Sequence, residues 1–195
     1  MMNAKRLTLP LDEEAVRAVA VGEALLLTGS LFTARDAVHH YLAGGGDCPV
    51  DLRGGIVYHC GPVVVREGSG WRVTAAGPTT SIREEPYMAT LIERHGLRGV
   101  IGKGGMGEAT RQACQRFGCL YLHAVGGAAQ VLADAIREVR GVYLLERFGA
   151  PEAIWELRVE DFPVVVTMDA QGRSLHDEVL ATSRAARAAL VAPPA

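Results

Sequence analysis

The stretch Val100-Ile101-Gly102-Lys103-Gly104-Gly105-Met106-Gly107 joins an apolar run to a glycine-rich turn. The apolar run predicts a strand over residues 98–101, and the segment after the turn predicts a helix over 106–117 that Gly118 ends. The next apolar run predicts a strand over 119–125. A strand, a helix and a strand in this order favour a parallel pair with a covering helix. The chain is therefore expected to be an α/β protein.

The same alternation extends outward from this stretch. Pro86, a residue favoured at the first helical position, predicts a helix over 86–95. Asp12 is expected to cap a helix over 13–19, and Thr33 to cap one through about Tyr41, with Asp36 completing a weak capping box. Further strands are predicted at 7–11, 24–28, 55–59, 72–75, 141–146, 154–160 and 164–168, and a further helix at 127–139. These elements predict a mixed sheet with covering helices.

Composition limits the classes of function. The 195 residues are 49% hydrophobic and 22% charged, with a net charge of −2, which fits one globular domain without a broad nucleic-acid surface. The longest apolar stretch, 18–29, is short and contains Glu23, so no membrane span is expected. Acidic residues precede it, which argues against a signal peptide and favours a cytoplasmic protein. The four cysteines form no metal or redox pattern and are expected to be free thiols.

Arg35 and His39 belong to the first of three motifs with chemical potential. The segment Thr28-Gly29-Ser30-Leu31-Phe32-Thr33-Ala34-Arg35-Asp36 predicts a strand end followed by a helix start. Arg35 is expected in the first turn of that helix, either paired with Asp36 or placed to bind a carboxylate with its two-pronged guanidinium. His39 lies one turn further along and can share its face.

The other two motifs follow later strands. In Gly77-Pro78-Thr79-Thr80-Ser81-Ile82-Arg83, a capping box between Ser81 and Glu84 would explain Ser81 but neither Thr79 nor Arg83. In the opening stretch, Gly102, Gly104 and Gly107 match G-x-G-x-x-G, but the next strand end, 122–125, lacks the acid that a dinucleotide site requires. Two interpretations remain: a tight turn whose glycines serve only the shape of the backbone, or a turn that points Lys103 into an anion site at the strand end.

Together these motifs resemble the β subunit, or the equivalent C-terminal domain, of class I iron–sulfur hydro-lyases, the family of class I fumarase and L(+)-tartrate dehydratase. The similarity spans roughly residues 7–178, followed by an Ala-rich helix and tail over 179–195. The segments that carry it are Thr33-Ala34-Arg35-Asp36 with His39, Gly61-Pro62, Gly77-Pro78-Thr79-Thr80-Ser81 with Arg83, Ile101-Gly102-Lys103-Gly104, Ala124-Val125-Gly126-Gly127-Ala128-Ala129 and Glu152-Ala153-Ile154-Trp155-Glu156-Leu157. Glu84 is a departure, since the family often has Met after the arginine.

The resemblance implies a swivelling β/β/α domain and an active site divided between two chains. A partner α subunit with three cysteines would hold a [4Fe–4S] cluster, and this chain would close over it. Arg35, Arg83 and Lys103 would bind the carboxylates of a small dicarboxylate. Thr79, with Lys103, would act in proton transfer, and Asp36 and His39 would support the site. An (αβ)2 assembly or a homodimer is expected.

Two rival functions remain open at the level of sequence. One is a dinucleotide-binding oxidoreductase domain built on the glycine-rich turn, and the other is a non-catalytic binding module on the same fold. The first leaves Thr79 and Arg83 unexplained. The second is disfavoured because Arg35, Thr79, Arg83 and Lys103 are all present.

Overall fold

The computed structural model describes residues 4–191, which form nine strands, seven α-helices and a one-turn 3-10 helix at Ser81–Glu84. The strands are β1 Lys5–Thr8, β2 Ala24–Ala34, β3 Ile56–His59, β4 Val63–Glu67, β5 Gly70–Ala75, β6 Gly99–Gly102, β7 Leu120–His123, β8 Ile136–Tyr143 and β9 Ile154–Met168. The helices are α1 Glu13–Arg17, α2 Asp36–Ala43, α3 Glu85–His95, α4 Glu108–Phe117, α5 Ala129–Asp134, α6 Leu145–Phe148 and α7 Leu175–Val191.

Five of the strands close into a ring. The main sheet has the order β1-β2-β3-β6-β7-β9-β8, and a further pairing between β2 and β9 joins β2, β3, β6, β7 and β9 into a barrel-like sheet. Neighbours from β1 to β7 run parallel, whereas β9 runs antiparallel to β2, β7 and β8. The predicted mixed α/β class is confirmed, but the sequence did not predict the closure of the sheet.

The central strands are buried on both faces. Side chains alternate along a strand, so neighbours in sequence point to opposite sides of the sheet. Leu31 belongs to the core that fills the ring, and Phe32 to the core under the outer helices α2, α3 and α4. On β6, Ile101 likewise belongs to the core that fills the ring, and Val100 to the core under the outer helices. Burial on two faces explains why these strands appear as continuous apolar runs in the sequence.

Several predicted elements are confirmed. Asp12 caps α1 by accepting a hydrogen bond from the backbone N–H of Ala15 at 2.7 Å. The strand–helix–strand order is present as β6, α4 and β7, and α4 ends at Gly118 in the left-handed conformation. Pro86 lies in the first turn of α3, as its fixed φ favours.

The prediction that Thr33 caps a helix is wrong. Thr33 lies inside β2, where its hydroxyl donates to the carbonyl of Ala153 at 3.2 Å and accepts from the N–H of Trp155 at 3.0 Å. Strand β2 therefore continues past Gly29 to Ala34, and Arg35 is the N-cap residue of α2. Partners more than 100 residues away decide this local structure.

Other differences also come from long-range strand pairing. The predicted helix over 127–139 ends at Asp134, because residues 136–143 form β8 and pair with β9. The two strands predicted at 154–160 and 164–168 are one strand, bent at Asp161, where φ is +51°. Strand β4, which forms a hairpin with β5, was not predicted.

The last helix, α7, begins at Leu175, and none of its side chains is buried. The sequence Pro193-Pro194-Ala195, predicted as part of a tail, lies outside the described residues. Among residues 4–191, the helices lack the combination of length and apolar character that crossing a membrane requires.

Gly29 allows β2 to pass close to the chain at Leu9. Its φ is +134°, and an added Cβ would lie 2.7 Å from the carbonyl oxygen of Leu9. We therefore expect Gly29→Ala to lower the free energy of unfolding by about 1–3 kcal/mol, measured by urea denaturation. Gly70→Ala is the matched control, because the nearest atom to its Cβ, the Glu67 carbonyl oxygen, would be 3.8 Å away. Equal stability of the two variants would contradict the close approach.

Candidate active site

The parallel strands end along one edge of the barrel, which we call the carboxyl rim. Register pairs Ala34 with His59 and Gly102 with His123 across this edge. The residues that follow the four strands define the rim: Arg35, Cys60, Lys103 and Ala124. Neighbouring strands lie about 4.8 Å apart, and Arg35 and Lys103 follow strands two apart in a closed ring, so their Cα atoms are expected within about 10 Å of each other.

Backbone hydrogen bonds join Thr79 directly to Lys103. The N–H of Lys103 donates to the carbonyl of Thr79 at 3.3 Å, and the N–H of Ser81 donates to the carbonyl of Lys103 at 3.1 Å. On its other side, the N–H of Thr79 donates to the carbonyl of His59 at 2.7 Å. The segment after the Gly77-Pro78 turn is thus held between β3 and β6, and two predicted site residues 24 positions apart become neighbours.

Lys103 emerges from this pairing with a half-buried side chain. A Cβ added at Gly126 would lie 3.4 Å from its Cδ atom, so the aliphatic stem passes along the loop after β7. Within residues 4–191, its ammonium group makes no ion pair or hydrogen bond. The lysine therefore contributes a positive charge that the described chain does not neutralise by contact.

Arg35 is held by Glu152 rather than by Asp36. Its Nε atom lies 3.5 Å from Oε1 of Glu152, whose other oxygen accepts a hydrogen bond from the N–H of Ala37 at 3.0 Å. Glu152 thereby caps the N-terminus of α2 and orients the arginine. Gly61 makes room for it, because a Cβ there would lie 2.9 Å from Nη1 of Arg35. Of the two alternatives left open by the sequence, the pairing of Arg35 with Asp36 is not the one found, because Glu152 is the carboxylate that contacts the arginine.

Arg83 lies on the 3-10 turn that follows Ser81, and its side chain is exposed. Within residues 4–191, no carboxylate pairs with its guanidinium group. The turn is short and has hydrogen bonds of poorer geometry than an α-helix, so its position depends on contacts made by its neighbours.

The capping box predicted between Ser81 and Glu84 is wrong, because both side chains contact buried histidines. Oγ of Ser81 and Nδ1 of His59 are 2.9 Å apart, and Oε2 of Glu84 and Nδ1 of His39 are 2.8 Å apart. The two imidazole rings meet edge to face with centroids 5.1 Å apart. All four side chains are buried. His39 therefore acts beneath the rim and does not reach its surface.

Burial controls the ionisation of two groups at the rim. Desolvation, and then the charge of His39, lower the pKa of His59 well below its usual range, so this ring is neutral. Desolvation raises the pKa of Cys60 to about 12, although the charge of the neighbouring Arg35 acts in the opposite direction. The Cys60 thiol is thus protonated at neutral pH.

The four cysteines are free, and three of them, Cys60, Cys114 and Cys119, are buried. Across residues 4–191, no group of three or more His, Cys, Asp and Glu side chains converges as metal ligands would. The residues at the rim and in the segment paired with it include cationic and hydroxyl side chains, which are of a kind that bind an organic anion: Arg35, Thr79, Arg83 and Lys103.

The structure brings the predicted residues together to different degrees. Thr79 and Lys103 are neighbours through the backbone, and Arg35 follows the strand next to β3. Asp36 is exposed at the start of α2, where its charge adds to desolvation in raising the pKa of Tyr87. Sequence reasoning missed Glu152 and His59. No local pattern identifies either one, although Glu152 lies in a segment that carries the family resemblance and His59 precedes Gly61-Pro62.

Comparisons with known proteins show what the chain is similar to. The family model described as "Fumarase C-terminus" matches residues 2–179. A Geobacillus stearothermophilus protein provisionally named fumarate hydratase class I is 54% identical over 174 residues, 89% of this chain. The L(+)-tartrate dehydratase subunit beta of Escherichia coli strain K12 is 38% identical over 173 residues, 88% of this chain.

The two relatives differ in how much of their own length is matched. The chain spans about a third (34%) of the Geobacillus protein but 86% of the E. coli subunit. A Methanocaldococcus jannaschii protein, provisionally named L(+)-tartrate dehydratase subunit beta, is 36% identical over 174 residues, which cover 87% of this chain and 89% of that protein.

The neutral state of His59 predicts how stability depends on pH. Because its pKa is lowered in the folded chain, the unfolded chain binds more protons below the unfolded pKa of about 6.5. Its contribution to stability is therefore complete above that pH and declines as the pH falls. In the wild type the free energy of unfolding should fall as the pH is lowered. We expect this fall to be smaller in His59→Gln, by about 1.4 kcal/mol per pH unit between pH 6.5 and 5.

Urea denaturation at several pH values measures this effect. Thr167→Val is the control, because it removes a buried hydroxyl that hydrogen-bonds the Tyr121 carbonyl but has no proton to titrate in this range. It should lower stability equally at every pH. A His59→Gln variant with the wild-type pH dependence would show that His59 does not carry this effect.

Proposed function

The chain belongs to the Fumarase C-terminus family, and on that premise we propose that it is the β subunit of a hydro-lyase acting on a small dicarboxylate. In this proposal it supplies groups that bind the substrate carboxylates and move a proton, in an active site shared with an α subunit. Its substrate is fumarate, tartrate or a related hydroxy-dicarboxylate, since its relatives carry the names fumarate hydratase and tartrate dehydratase.

The hydrogen-bonded contact between Thr79 and Lys103 is the observation that carries the proposal. It brings the backbone of Thr79, which carries a hydroxyl, next to that of Lys103, which carries an ammonium group, at the carboxyl rim where Arg35 also leaves β2. Loops at the ends of parallel strands are common positions for catalytic groups, because a rigid sheet fixes where each loop begins. A merely structural rim would not need cations that lack partners.

Arg35, Arg83 and Lys103 are suited to binding two carboxylates. A guanidinium group presents two parallel N–H donors that match a carboxylate, and a charge-assisted hydrogen bond is stronger than a neutral one. Glu152 already orients Arg35 from one side. Lys103 supplies a third, compact positive charge. A substrate with two negative groups offsets the repulsion among the three cations.

Thr79 is the proposed proton-transfer residue. A threonine hydroxyl is a poor base by itself, so it requires a nearby positive charge that favours its deprotonated form. In this proposal Lys103, whose backbone pairs with that of Thr79, supplies such a charge. In this proposal Lys103 serves both substrate binding and the chemistry at Thr79.

The described residues do not fit an iron–sulfur cluster of their own. Three of the four thiols are buried, and the pKa of Cys60 is raised to about 12, so a thiolate is disfavoured there. The [4Fe–4S] cluster expected for the family therefore belongs, in this proposal, to the α subunit and its three cysteines. The name "subunit beta" of the relatives implies such a partner.

The glycine-rich turn argues against the rival dinucleotide site. A pyrophosphate would need the free N–H groups at the N-terminus of α4. The carboxylate of Glu85 already accepts hydrogen bonds there, from the N–H of Gly107 at 2.7 Å and from the N–H of Thr110 at 3.2 Å. A negatively charged side chain in this place repels a phosphate.

The proposal extends to the assembly. In this proposal residues 1–178 are the domain that carries the site, and the boundary at residue 179 falls inside α7, which begins at Leu175. The domain is of the swivelling β/β/α kind, in which the carboxyl rim closes over the α subunit, and an (αβ)2 complex or a homodimer is the assembled form. The exposure of Arg83 supports a rim that a second surface covers.

The chain is expected to be colourless and inactive when purified alone, because it lacks cluster ligands. Co-production with its α partner and anaerobic reconstitution should give a brown complex with hydratase or dehydratase activity. Ultraviolet–visible spectra and a fumarate or tartrate assay measure the two properties. Full activity of the isolated chain would contradict the divided site.

Substitutions at Arg83 and Thr79 separate binding from chemistry in the assembled enzyme. Arg83→Ala should lower kcat/KM by roughly tenfold to a hundredfold, as expected for a lost charged hydrogen bond, and Arg83→Lys should restore little of it. Thr79→Ala should lower kcat far more than it raises KM, because it removes a group used in the transition state.

Matched variants keep this test specific. Arg116→Ala removes an exposed arginine on the outer helix α4, and Thr79→Ser keeps the hydroxyl; both should stay within about threefold of the wild type. Normal kinetics of Arg83→Ala would remove Arg83 from the site. A Thr79→Ala enzyme with raised KM and unchanged kcat would make Thr79 a binding residue only.

A further inference from the structure

We infer that the buried pair His39–Glu84 is a positioning device that sets the separation between Arg35 and Arg83. The inference rests on the proposed function, because it assigns these two arginines to the two carboxylates of the substrate. Neither His39 nor Glu84 reaches the rim, since each is at most 2% exposed. Both act through the arginines, and they are positioning residues rather than catalytic ones.

The pair connects the two elements that carry the arginines. His39 lies one turn after Arg35 on α2, and its N–H donates to the Arg35 carbonyl at 2.9 Å. Glu84 follows Arg83 directly and is the last residue of the 3-10 turn. The 2.8 Å contact between Nδ1 of His39 and Oε2 of Glu84 therefore ties the base of one arginine to the base of the other.

The other end of the turn is fixed in the same way. Ser81 begins it, and its hydroxyl lies 2.9 Å from Nδ1 of His59 at the end of β3. Gly102 permits this contact, because a Cβ at that position would overlap Oγ of Ser81. Arg83 is thus exposed between two buried anchors, and the edge-to-face contact of the histidine rings joins the anchors to each other.

Directional contact, rather than stability, accounts for this choice of side chains. A buried carboxylate is costly to desolvate, and replacing a buried polar pair by apolar side chains is often neutral or stabilising. Such a replacement would not hold the turn at a fixed distance from α2, whereas a hydrogen bond restricts both distance and angle. Where Glu84 is ionised it can only accept, and the contact then requires the proton on Nδ1 of His39, which fixes the ring orientation as well.

A double-mutant cycle in the assembled αβ enzyme tests the inference. Glu84→Met should raise KM about tenfold with kcat changed by less than about threefold, because Arg83 is displaced while Thr79 stays paired with Lys103. In the Arg83→Ala background, Glu84→Met should add less than about twofold, since the residue it positions is already absent. Glu84→Gln keeps an acceptor oxygen and should remain within about threefold of the wild type.

A second variant separates positioning from folding. Glu84→Met alone leaves a buried N–H without a partner, which lowers stability. Combining it with His39→Leu removes both polar partners, so the thermal midpoint should recover while KM stays raised. Hydrogen–deuterium exchange of the isolated chain should show faster exchange over residues 79–84 in both variants, and Thr167→Val should leave this segment unchanged.

The outcomes distinguish the inference from the proposal beneath it. If Arg83→Ala left KM unchanged, the assignment of Arg83 would fail, and the inference with it. If Arg83→Ala raised KM, but Glu84→Met raised KM by the same factor in the Arg83→Ala background as in the wild type, only the positioning role would be overturned. Recovery of KM together with stability in the apolar double variant would show that the pair is structural.

Discussion

The pairing of β2 with β9 is the interaction on which the rest of the structure depends. Strand β2 hydrogen-bonds β3 on one side and β9 on the other, so five strands close and leave no free edge among them. An open sheet can twist and splay at its ends, whereas a closed one fixes where each strand stops. The positions of Arg35 and Lys103 along the carboxyl rim follow from that closure.

Carboxylates below the rim are used to hold cations and loops in place. Glu152 caps α2 and contacts Arg35, Glu84 contacts His39, and Glu85 occupies the N-terminus of α4. Each of these carboxylates makes a contact within the chain. Among the described residues, no carboxylate contacts Arg83 or Lys103, so their positive charges remain available. A chain with a net charge of −2 thus presents a locally positive site.

The sequence predicts the part of this structure that depends on local pattern. Helix α4 with its closing Gly118, helix α3 with Pro86, and the α/β alternation all follow from residues close in sequence. Thr33 and the Ser81–Glu84 segment were misread because their hydroxyl and carboxyl groups bond partners that only the folded chain brings near. Closure of the sheet by β9 was missed for the same reason. An apolar run predicts a strand but does not indicate which other strand it pairs with.

The rim explains why a second surface matters to a site of this kind. Arg83 is exposed to water, where an ion pair with a carboxylate contributes little free energy because solvent screens it. The same pair gains strength when a covering surface excludes water and lowers the local dielectric constant. In the proposed function Thr79 depends on this even more, since a nearby positive charge, proposed to be that of Lys103, must favour loss of its hydroxyl proton. The chain positions the cations, and covering the rim is the step that makes their charge effective.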